Sequence, residues 1–246
     1  MYNFYRVFLS FLVLLSLIEN TKINQPIIIE PTKAHQSTIF LLHGLGDNGR
    51  SYVNVARSLQ KSFPNSRFIL PTAPRIPVTV NLGMLMNAWY DIKKISPDSN
   101  ENTEFLEEIT ESLLEYVEKE ANNFPQNVDP KIVLAGFSQG AAISFFSAMR
   151  RTDIKIAGVV MMSGYLLKPK NIEKEIRQVN KKTPIFMGHG TSDQVILYNW
   201  SQQSYKIMIE LGLNVEYHSY TKMQHSISKQ VISDVKDFLL MVLSER

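Results

Sequence analysis

The pattern G-x-S-x-G at residues 136–140 constrains the fold more than any other feature of this chain. The apolar run 132–135 comes directly before it, and the small-residue stretch 141–144 comes directly after it. This order predicts a strand, a sharp turn and a helix, with Ser138 at the turn. Such a tight turn strains the backbone of its central residue, and only small flanking residues avoid a clash there. The turn lifts the serine hydroxyl clear of the sheet, where a partner base can activate it as a nucleophile.

The rest of the chain alternates apolar runs with amphipathic stretches, and this alternation predicts the fold class. Residues 104–124 have the clearest helical pattern, because apolar side chains recur every four positions with acidic residues between them. Residues 71–90, with three prolines, are expected to form a long irregular segment. Buried strands are predicted at 38–42, 67–70, 132–135, 156–162, 184–188 and 215–220, and further helices at 51–63 and 227–242. The pattern predicts a single-domain α/β fold, with a mainly parallel central sheet and helices on both faces.

A parallel sheet collects its functional side chains at the carboxyl ends of its strands. An acid and a histidine are therefore expected just after strands that follow Ser138. Asp193 lies in a glycine-bearing turn after the predicted strand 184–188, and His225 follows the last strand and precedes the closing helix. The chain order Ser138, Asp193, His225 fits a catalytic triad. In such a triad the histidine takes and returns the proton, and the aspartate fixes the histidine tautomer.

Other acids and histidines have simpler explanations. His218 lies inside the last strand pattern, where a packed or edge histidine is expected, and His35 lies in a polar linker. His189 precedes the candidate acid by four residues and is expected to shape its turn. His225, taken alone, has the alternative interpretation of a surface residue at a helix N-terminus. Capping and solvation explain the acids beside helices or before strands, which are Asp129, Asp153, Asp234 and Asp237.

The carbonyl that a serine attacks becomes an oxyanion, which needs preorganised hydrogen-bond donors. The N–H of Gln139 is the first candidate, because this residue follows the nucleophile at the start of the helix. The second donor is expected from the loop after an early strand, here the glycine-bearing residues 43–49. Within this loop the N–H of Leu45 is the main candidate and that of Gly46 the second. The alternative is that residues 43–49 form a plain β–α turn.

The first 22 of the 246 residues have a different character. Residues 7–18 are apolar apart from two serines, a run that is long enough for the core of a signal peptide but short for a membrane span. We interpret residues 1–22 as a targeting segment, either a cleaved secretory signal or an uncleaved anchor. An extra buried helix is the alternative. Residues 23–246 are then the catalytic domain. The sequon at Asn199 has meaning only if the chain is secreted.

Composition excludes several classes of function. The chain has no cysteine, which excludes disulfides, thiolate catalysis, cysteine-zinc sites and S-acylation of the chain itself. The net charge of +3 comes from scattered basic residues rather than from a patch. No nucleic-acid partner is therefore expected.

Several motifs together resemble a known family. They lie at residues 42–47, 71–74, 81–84, 88–91, 136–140 and 189–193 and at His225. In this order they resemble the acyl-protein thioesterase and lysophospholipase family, a branch of the small α/β-hydrolase carboxylesterases. The resemblance covers roughly residues 37–243. It implies a single-domain α/β-hydrolase fold and hydrolysis of fatty acyl esters and thioesters, with S-palmitoylated proteins and lysophospholipids as substrates. It implies neither a metal ion nor an organic cofactor.

The resemblance also assigns site residues. Ser138, Asp193 and His225 match the family's triad, and Leu45 and Gln139 match its oxyanion donors. One apolar segment of this chain corresponds to the part of the family's fold that borders the acyl-binding region. Its flexible methionines suit an alkyl chain. Simple core packing is the alternative for each of its members. The candidate acyl-binding residues in this segment are Leu82, Met84, Leu85, Met86 and Trp89.

Three other functions fit the same residues, and one of them is a peptidase. A short-chain carboxylesterase without a protein substrate would differ only in its acyl-length preference, and a hydrolase-fold binding protein would have lost turnover. We also expect transient contact with a membrane surface. The apolar N-terminal segment suggests the secretory pathway or membrane association, whereas the family resemblance suggests the cytoplasm.

Overall fold

The computed structural model describes residues 23–96, 103–125, 129–150, 153–168 and 170–244. The targeting segment predicted at residues 1–22 lies outside the described residues. Among the helices that the structure does describe, none combines the length and the hydropathy needed to cross a membrane.

A seven-stranded sheet forms the centre of the molecule. The described strands are β1 (Asn24–Ile29), β2 (Ser37–Leu42), β3 (Ser66–Thr72), β4 (Arg75–Val78), β5 (Met84–Asn87), β6 (Ile132–Phe137), β7 (Ile156–Met162), β8 (Ile185–Gly190) and β9 (Val215–Tyr220). The central sheet has the order β1-β3-β2-β6-β7-β8-β9. β1 pairs with β3 antiparallel, and every other neighbouring pair in this sheet is parallel. The mainly parallel sheet predicted from the sequence is confirmed. The edge strand β1 has no counterpart among the predicted strands.

β4 and β5 form a separate antiparallel hairpin. The expectation of an irregular segment over residues 71–90 is therefore wrong for this part. Leu82 and Gly83 at the hairpin tip have φ values of 56° and 75°, in the left-handed region, which lets the chain reverse direction sharply. Pro77 fits in β4 because a two-stranded sheet leaves one edge of each strand without a ladder partner.

Helices cover both faces of the sheet, as predicted. They are α1 (Val53–Gln60), α2 (Thr103–Ala121), α3 (Gln139–Arg150), α4 (Ile172–Glu175), α5 (Tyr198–Glu210) and α6 (Lys229–Leu243). Successive side chains of a strand point to opposite faces, so each central strand feeds two cores. In β2, Phe40 and Leu42 pack in the core shared with α2 and α3, whereas Ile39 and Leu41 pack in the core shared with α1 and α6.

The carboxyl ends of the parallel strands meet along one edge of the sheet. Leu42 is level with Gly136 in the ladder of β2 and β6, and Gly190 is level with Tyr220 in the ladder of β8 and β9. The segments that follow these four strands therefore open onto the same edge, and all the predicted catalytic residues lie in them.

Candidate active site

Ser138 stands at the turn between β6 and α3 with a backbone φ of 55°, a conformation that residues with side chains rarely adopt. Its N–H donates to the carbonyl of Met162 at 2.9 Å, which ties the turn to the neighbouring strand. A Cβ atom at Gly136 would collide with the carbonyl of Gly140, and one at Gly140 would collide with the carbonyl of Leu42. The strained strand-to-helix turn expected from the sequence is present, and strain of this kind gathers at functional sites.

Asp193 and His225 are hydrogen-bonded across the segments that follow β8 and β9. The Nδ1 atom of His225 lies 2.7 Å from Oδ2 of Asp193. This nitrogen therefore carries the proton of the neutral ring, which leaves a lone pair on Nε2. Oδ1 of Asp193 accepts the N–H groups of Val195 and Ile196, each at 2.9 Å. The carboxylate thus holds the imidazole in one tautomer and is itself held by the backbone.

A second histidine supports the same carboxylate. His189 is fully buried, and its Nε2 atom lies 2.8 Å from the carbonyl of Ile196 and 3.3 Å from Oδ2 of Asp193. Burial by itself raises the pKa of Asp193, but hydrogen bonds from His189, His225 and the Val195 amide outweigh burial and hold this pKa well below its usual value. Asp193 is therefore ionised near neutral pH. These contacts agree with the expectation that His189 shapes the turn.

The loop after β2 approaches the serine closely, since a Cβ atom at Gly44 would lie 3.4 Å from that of Ser138. The N–H of Gly46 donates to a carbonyl of β5 at 2.8 Å and is therefore not free to bind an oxyanion. For the N–H of Leu45, no hydrogen bond is found among the described residues. Gln139 is the first residue of α3, where an N–H has no partner within the helix. The geometry thus favours Leu45 over Gly46 as the second donor.

A cavity of about 510 Å³ opens beside Ser138 and His225, and both residues line it together with Leu45 and Gln139. Such a volume is within the range of sites that bind small molecules. Most of the wall is apolar and comes from separate segments of the chain. The apolar lining residues include Tyr52, Val55, Ile92, Ile95, Phe137, Tyr165, Val195, Ile196, Trp200 and Ile227. Several of them lie within three residues of a predicted catalytic residue, a sequence signal that could have identified them.

None of the five candidate acyl-binding residues is among those that line this cavity. Leu82 is 96% exposed, and Met84 and Leu85 are also exposed, because the hairpin of β4 and β5 carries them outward. Met86 is partly buried on the same hairpin. Trp89 is fully buried and packs in the main core. The direction of the hairpin separates the first four residues from the cavity, and their adjacency in sequence does not reveal that direction.

His218 lies outside the site, on strand β9. Its Nε2 atom is 2.6 Å from Oε1 of Glu216, and its ring stacks on that of Phe186 at a centroid distance of 4.9 Å. This is the packed strand histidine that the sequence predicts. Within the described ranges of the chain, no group of three or more histidine, aspartate and glutamate side chains is arranged to hold a metal ion.

Comparison with known proteins gives a consistent result. Residues 23–243 match the model of the phospholipase/carboxylesterase family. Acyl-protein thioesterase 1 from Cryptococcus neoformans is 38% identical over 232 residues, which cover 87% of this chain and 96% of that protein. Acyl-protein thioesterase 1 from Emericella nidulans is 36% identical over 232 residues, which cover 89% of this chain and 95% of that protein.

Solved structures of other proteins superpose on this fold. The crystal structure of acyl-protein thioesterase 2 from Zea mays superposes with a TM-score of 0.80 at 27% identity and covers 90% of this chain and 100% of its own. That of SOBER1 from Arabidopsis thaliana superposes with a TM-score of 0.77 at 26% identity and covers 85% of this chain and 99% of its own.

Proposed function

Because the chain belongs to the phospholipase/carboxylesterase family of α/β hydrolases, we propose that it cleaves fatty acyl esters and thioesters through an acyl-enzyme on Ser138. The observation that carries this proposal is the hydrogen-bonded pair of Asp193 and His225 at an apolar cavity that Ser138 also lines. A nucleophile, an oriented base and an apolar wall in one place are what hydrolysis of a fatty acyl group requires.

The reaction proceeds in two steps. In the first, Nε2 of His225 takes the proton of the Ser138 hydroxyl as Oγ attacks the acyl carbonyl. The N–H groups of Leu45 and Gln139 stabilise the oxyanion that forms, and His225 then gives the proton to the leaving thiol or alcohol. In the second step, His225 takes a proton from water as the water attacks the acyl-enzyme, and it returns this proton to Oγ of Ser138 as the bond between Oγ and the acyl carbon breaks and the fatty acid leaves. Asp193 stabilises the imidazolium in both steps.

The cavity supports a fatty acyl group as the part of the substrate that is recognised. Its wall carries isoleucine, valine, leucine and aromatic side chains, and transfer of each methylene from water to such a surface contributes about 0.8 kcal/mol. Three of the relatives described above are named acyl-protein thioesterases. We therefore propose fatty-acylated proteins or lysophospholipids as the substrates of this chain.

Substrates of this kind reside at lipid surfaces, and the hairpin of β4 and β5 fits contact with one. Leu82, Met84 and Leu85 expose apolar side chains at and beside its tip, and single apolar side chains of this type insert into the interfacial region of a bilayer. Sedimentation with phosphatidylcholine vesicles tests this contact. The wild type is expected to sediment with the vesicles more than a variant in which all three residues are serine, and equal sedimentation would reject the contact.

The experiment that tests the function measures hydrolysis of acyl thioesters from short to long chain by the full-length protein. The rate is expected to rise toward long chains and to vanish in Ser138→Ala, while Ser58→Ala, a change on the exposed face of α1, leaves it unchanged. A fluorophosphonate is expected to form one adduct, on Ser138, as located by mass spectrometry. Activity confined to short chains would favour a general carboxylesterase. Absence of turnover in the wild type would reject the proposal.

A further inference from the structure

The two oxyanion donors belong to segments that the central sheet does not hold together. Leu45 lies in the loop after β2, and Gln139 begins α3. The ladder between β2 and β6 ends where Leu42 is level with Gly136, before either donor is reached. Both N–H groups must nevertheless point at one oxygen, and such constellations work only when they are held to within about 0.5 Å. Something other than the sheet must therefore fix their spacing.

On one side, residues 87–90, which begin at the last residue of β5, hold the loop that contains Leu45. The carbonyl of Asn87 accepts the N–H of Gly46 at 2.8 Å, and the Asn87 side-chain amide donates to the carbonyl of Asp47 at 2.7 Å. The indole N–H of Trp89 donates to the carbonyl of His43 at 2.7 Å. These hydrogen bonds hold the loop in place on both sides of Leu45 in the sequence.

On the other side, the same segment holds the start of α3. The backbone N–H of Trp89 donates to Oε1 of Gln139 at 2.9 Å, and the Gln139 side-chain amide donates to the carbonyl of Tyr90 at 2.7 Å. Trp89 and Tyr90 are fully buried, and Gln139 is almost so. Hydrogen bonds in such surroundings are expensive to leave unmade, so this connection is stiff.

We infer that residues 87–90 form a bracket that sets the spacing of the two oxyanion donors, and that Asn87 and Trp89 are positioning residues for the reaction. This inference rests on the function proposed above. The bracket explains why Trp89 is buried although it lies in the segment where acyl-binding residues are expected: its two N–H groups connect the loop after β2 to the nucleophile turn.

Two variants each remove one hydrogen bond of the bracket. Trp89→Phe keeps an aromatic ring and removes the indole N–H that holds His43. Asn87→Ala removes the amide that holds Asp47 from a partly buried position, where loss of fold is not expected. The matched control is Asn81→Ala, since this amide belongs to the same hairpin region but, within the part of the chain that the structure describes, donates only to the sulfur of Met86, at 3.2 Å.

Rates are measured on a long-chain acyl thioester and expressed per active serine, as titrated with a fluorophosphonate, so that misfolded protein does not count. Trp89→Phe and Asn87→Ala are each expected to lower kcat by between about tenfold and a hundredfold, with little change in KM, because misplaced donors weaken only the transition state. A long-chain trifluoromethyl ketone forms an adduct with Ser138 that carries an oxyanion. Its inhibition constant is expected to increase by the same factor. Asn81→Ala is expected to match the wild type.

A structural role alone would give different results. If the variants lower the unfolding temperature but keep the wild-type kcat per titrated serine, the bracket does not position the donors. The same holds if kcat falls while the affinity for the trifluoromethyl ketone does not. If the wild type itself shows no turnover, the proposed function is rejected, and this inference is rejected with it.

Discussion

The Nε2 atom of His189 lies 3.3 Å from Oδ2 of Asp193, the same oxygen that accepts the Nδ1–H of His225 at 2.7 Å. One buried carboxylate thus meets two imidazoles, and only one of these borders the cavity. The inner ring completes the support of the acid, whereas the outer ring is free to exchange a proton with the substrate. This division of labour explains why two histidines in the same region have different predicted roles.

Asp193→Asn is expected to lower kcat by roughly 10³- to 10⁴-fold, because an amide no longer fixes the tautomer of His225 or stabilises its imidazolium. The amide has the same shape as the carboxylate, so the circular dichroism spectrum should match that of the wild type. Thioesterase rates check the prediction. The control is Asp234→Asn, which changes a carboxylate on α6 that accepts hydrogen bonds from Tyr220 and Gln230 and does not line the cavity. A loss of less than tenfold in Asp193→Asn would contradict the assigned role.

The free energy of unfolding is expected to decrease as the pH drops below about 6.5, because of His43. Burial lowers the pKa of this histidine, outweighing the Gly44 carbonyl and the Asp47 charge, which raise it. The ring is neutral in the folded state, with Nδ1 2.7 Å from the carbonyl of Gly44 and Nε2 accepting the N–H of Ala73 at 3.0 Å. Since the folded pKa lies below the unfolded one, unfolding takes up a proton as the pH falls. The resulting slope is at most about 1.4 kcal/mol per pH unit for one proton.

Urea unfolding at pH 7.5, 6.5 and 5.5 measures this slope. His43→Gln should flatten it, whatever its effect on stability at pH 7.5. His35→Gln is the second variant to compare, since burial also lowers the pKa of His35 and adds to the slope with the same sign. An unchanged slope in His43→Gln would show that the buried imidazole is not its source.

Much of the site could be predicted because it depends on chain order. In a parallel sheet, residues that directly follow strands gather at one edge, so Ser138, Asp193 and His225 could be placed together without coordinates. The strain at Ser138 and the need for glycine at 136 and 140 follow from the turn itself.

The cavity could not be predicted in the same way, because it depends on the directions of loops. Its wall combines Val55 from α1, Ile95 from the segment after β5 and Trp200 from α5, and no local pattern connects these residues. Leu82 and Trp89 differ in solvent exposure for the same reason. They lie seven residues apart, yet the hairpin exposes the first almost completely and the fold buries the second. The sequence pattern did not predict strand β1, because the strand contains Pro26 and only residues 27–29 form an apolar run.

Gly140→Ala is expected to destabilise the fold and to lower activity together. A Cβ atom there would collide with the carbonyls of Leu42 and His43, which are backbone atoms and cannot rotate away. Overpacking of this kind typically costs about 1–3 kcal/mol. The matched control is Gly158→Ala in β7, where the nearest atoms are the side chains of Phe238 and Val242 at 3.2 Å, which can move. Urea unfolding should give the larger loss for Gly140→Ala, and equal losses would contradict the packing argument.

Ile95→Trp is expected to change acyl-chain preference rather than overall activity. Ile95 is 42% exposed and lines the cavity. The larger indole side chain of tryptophan therefore narrows the space for an alkyl chain without disturbing the core. The value of kcat/KM for a palmitoyl thioester should fall about tenfold or more, while that for a butyryl thioester changes little, because each excluded methylene loses its binding energy only in the longer substrate. Ile209→Trp is the matched control, since Ile209 is 45% exposed on α5 and does not line the cavity. If both substrates lost rate equally in Ile95→Trp, the cavity beside Ser138 would not be the site that binds the acyl chain.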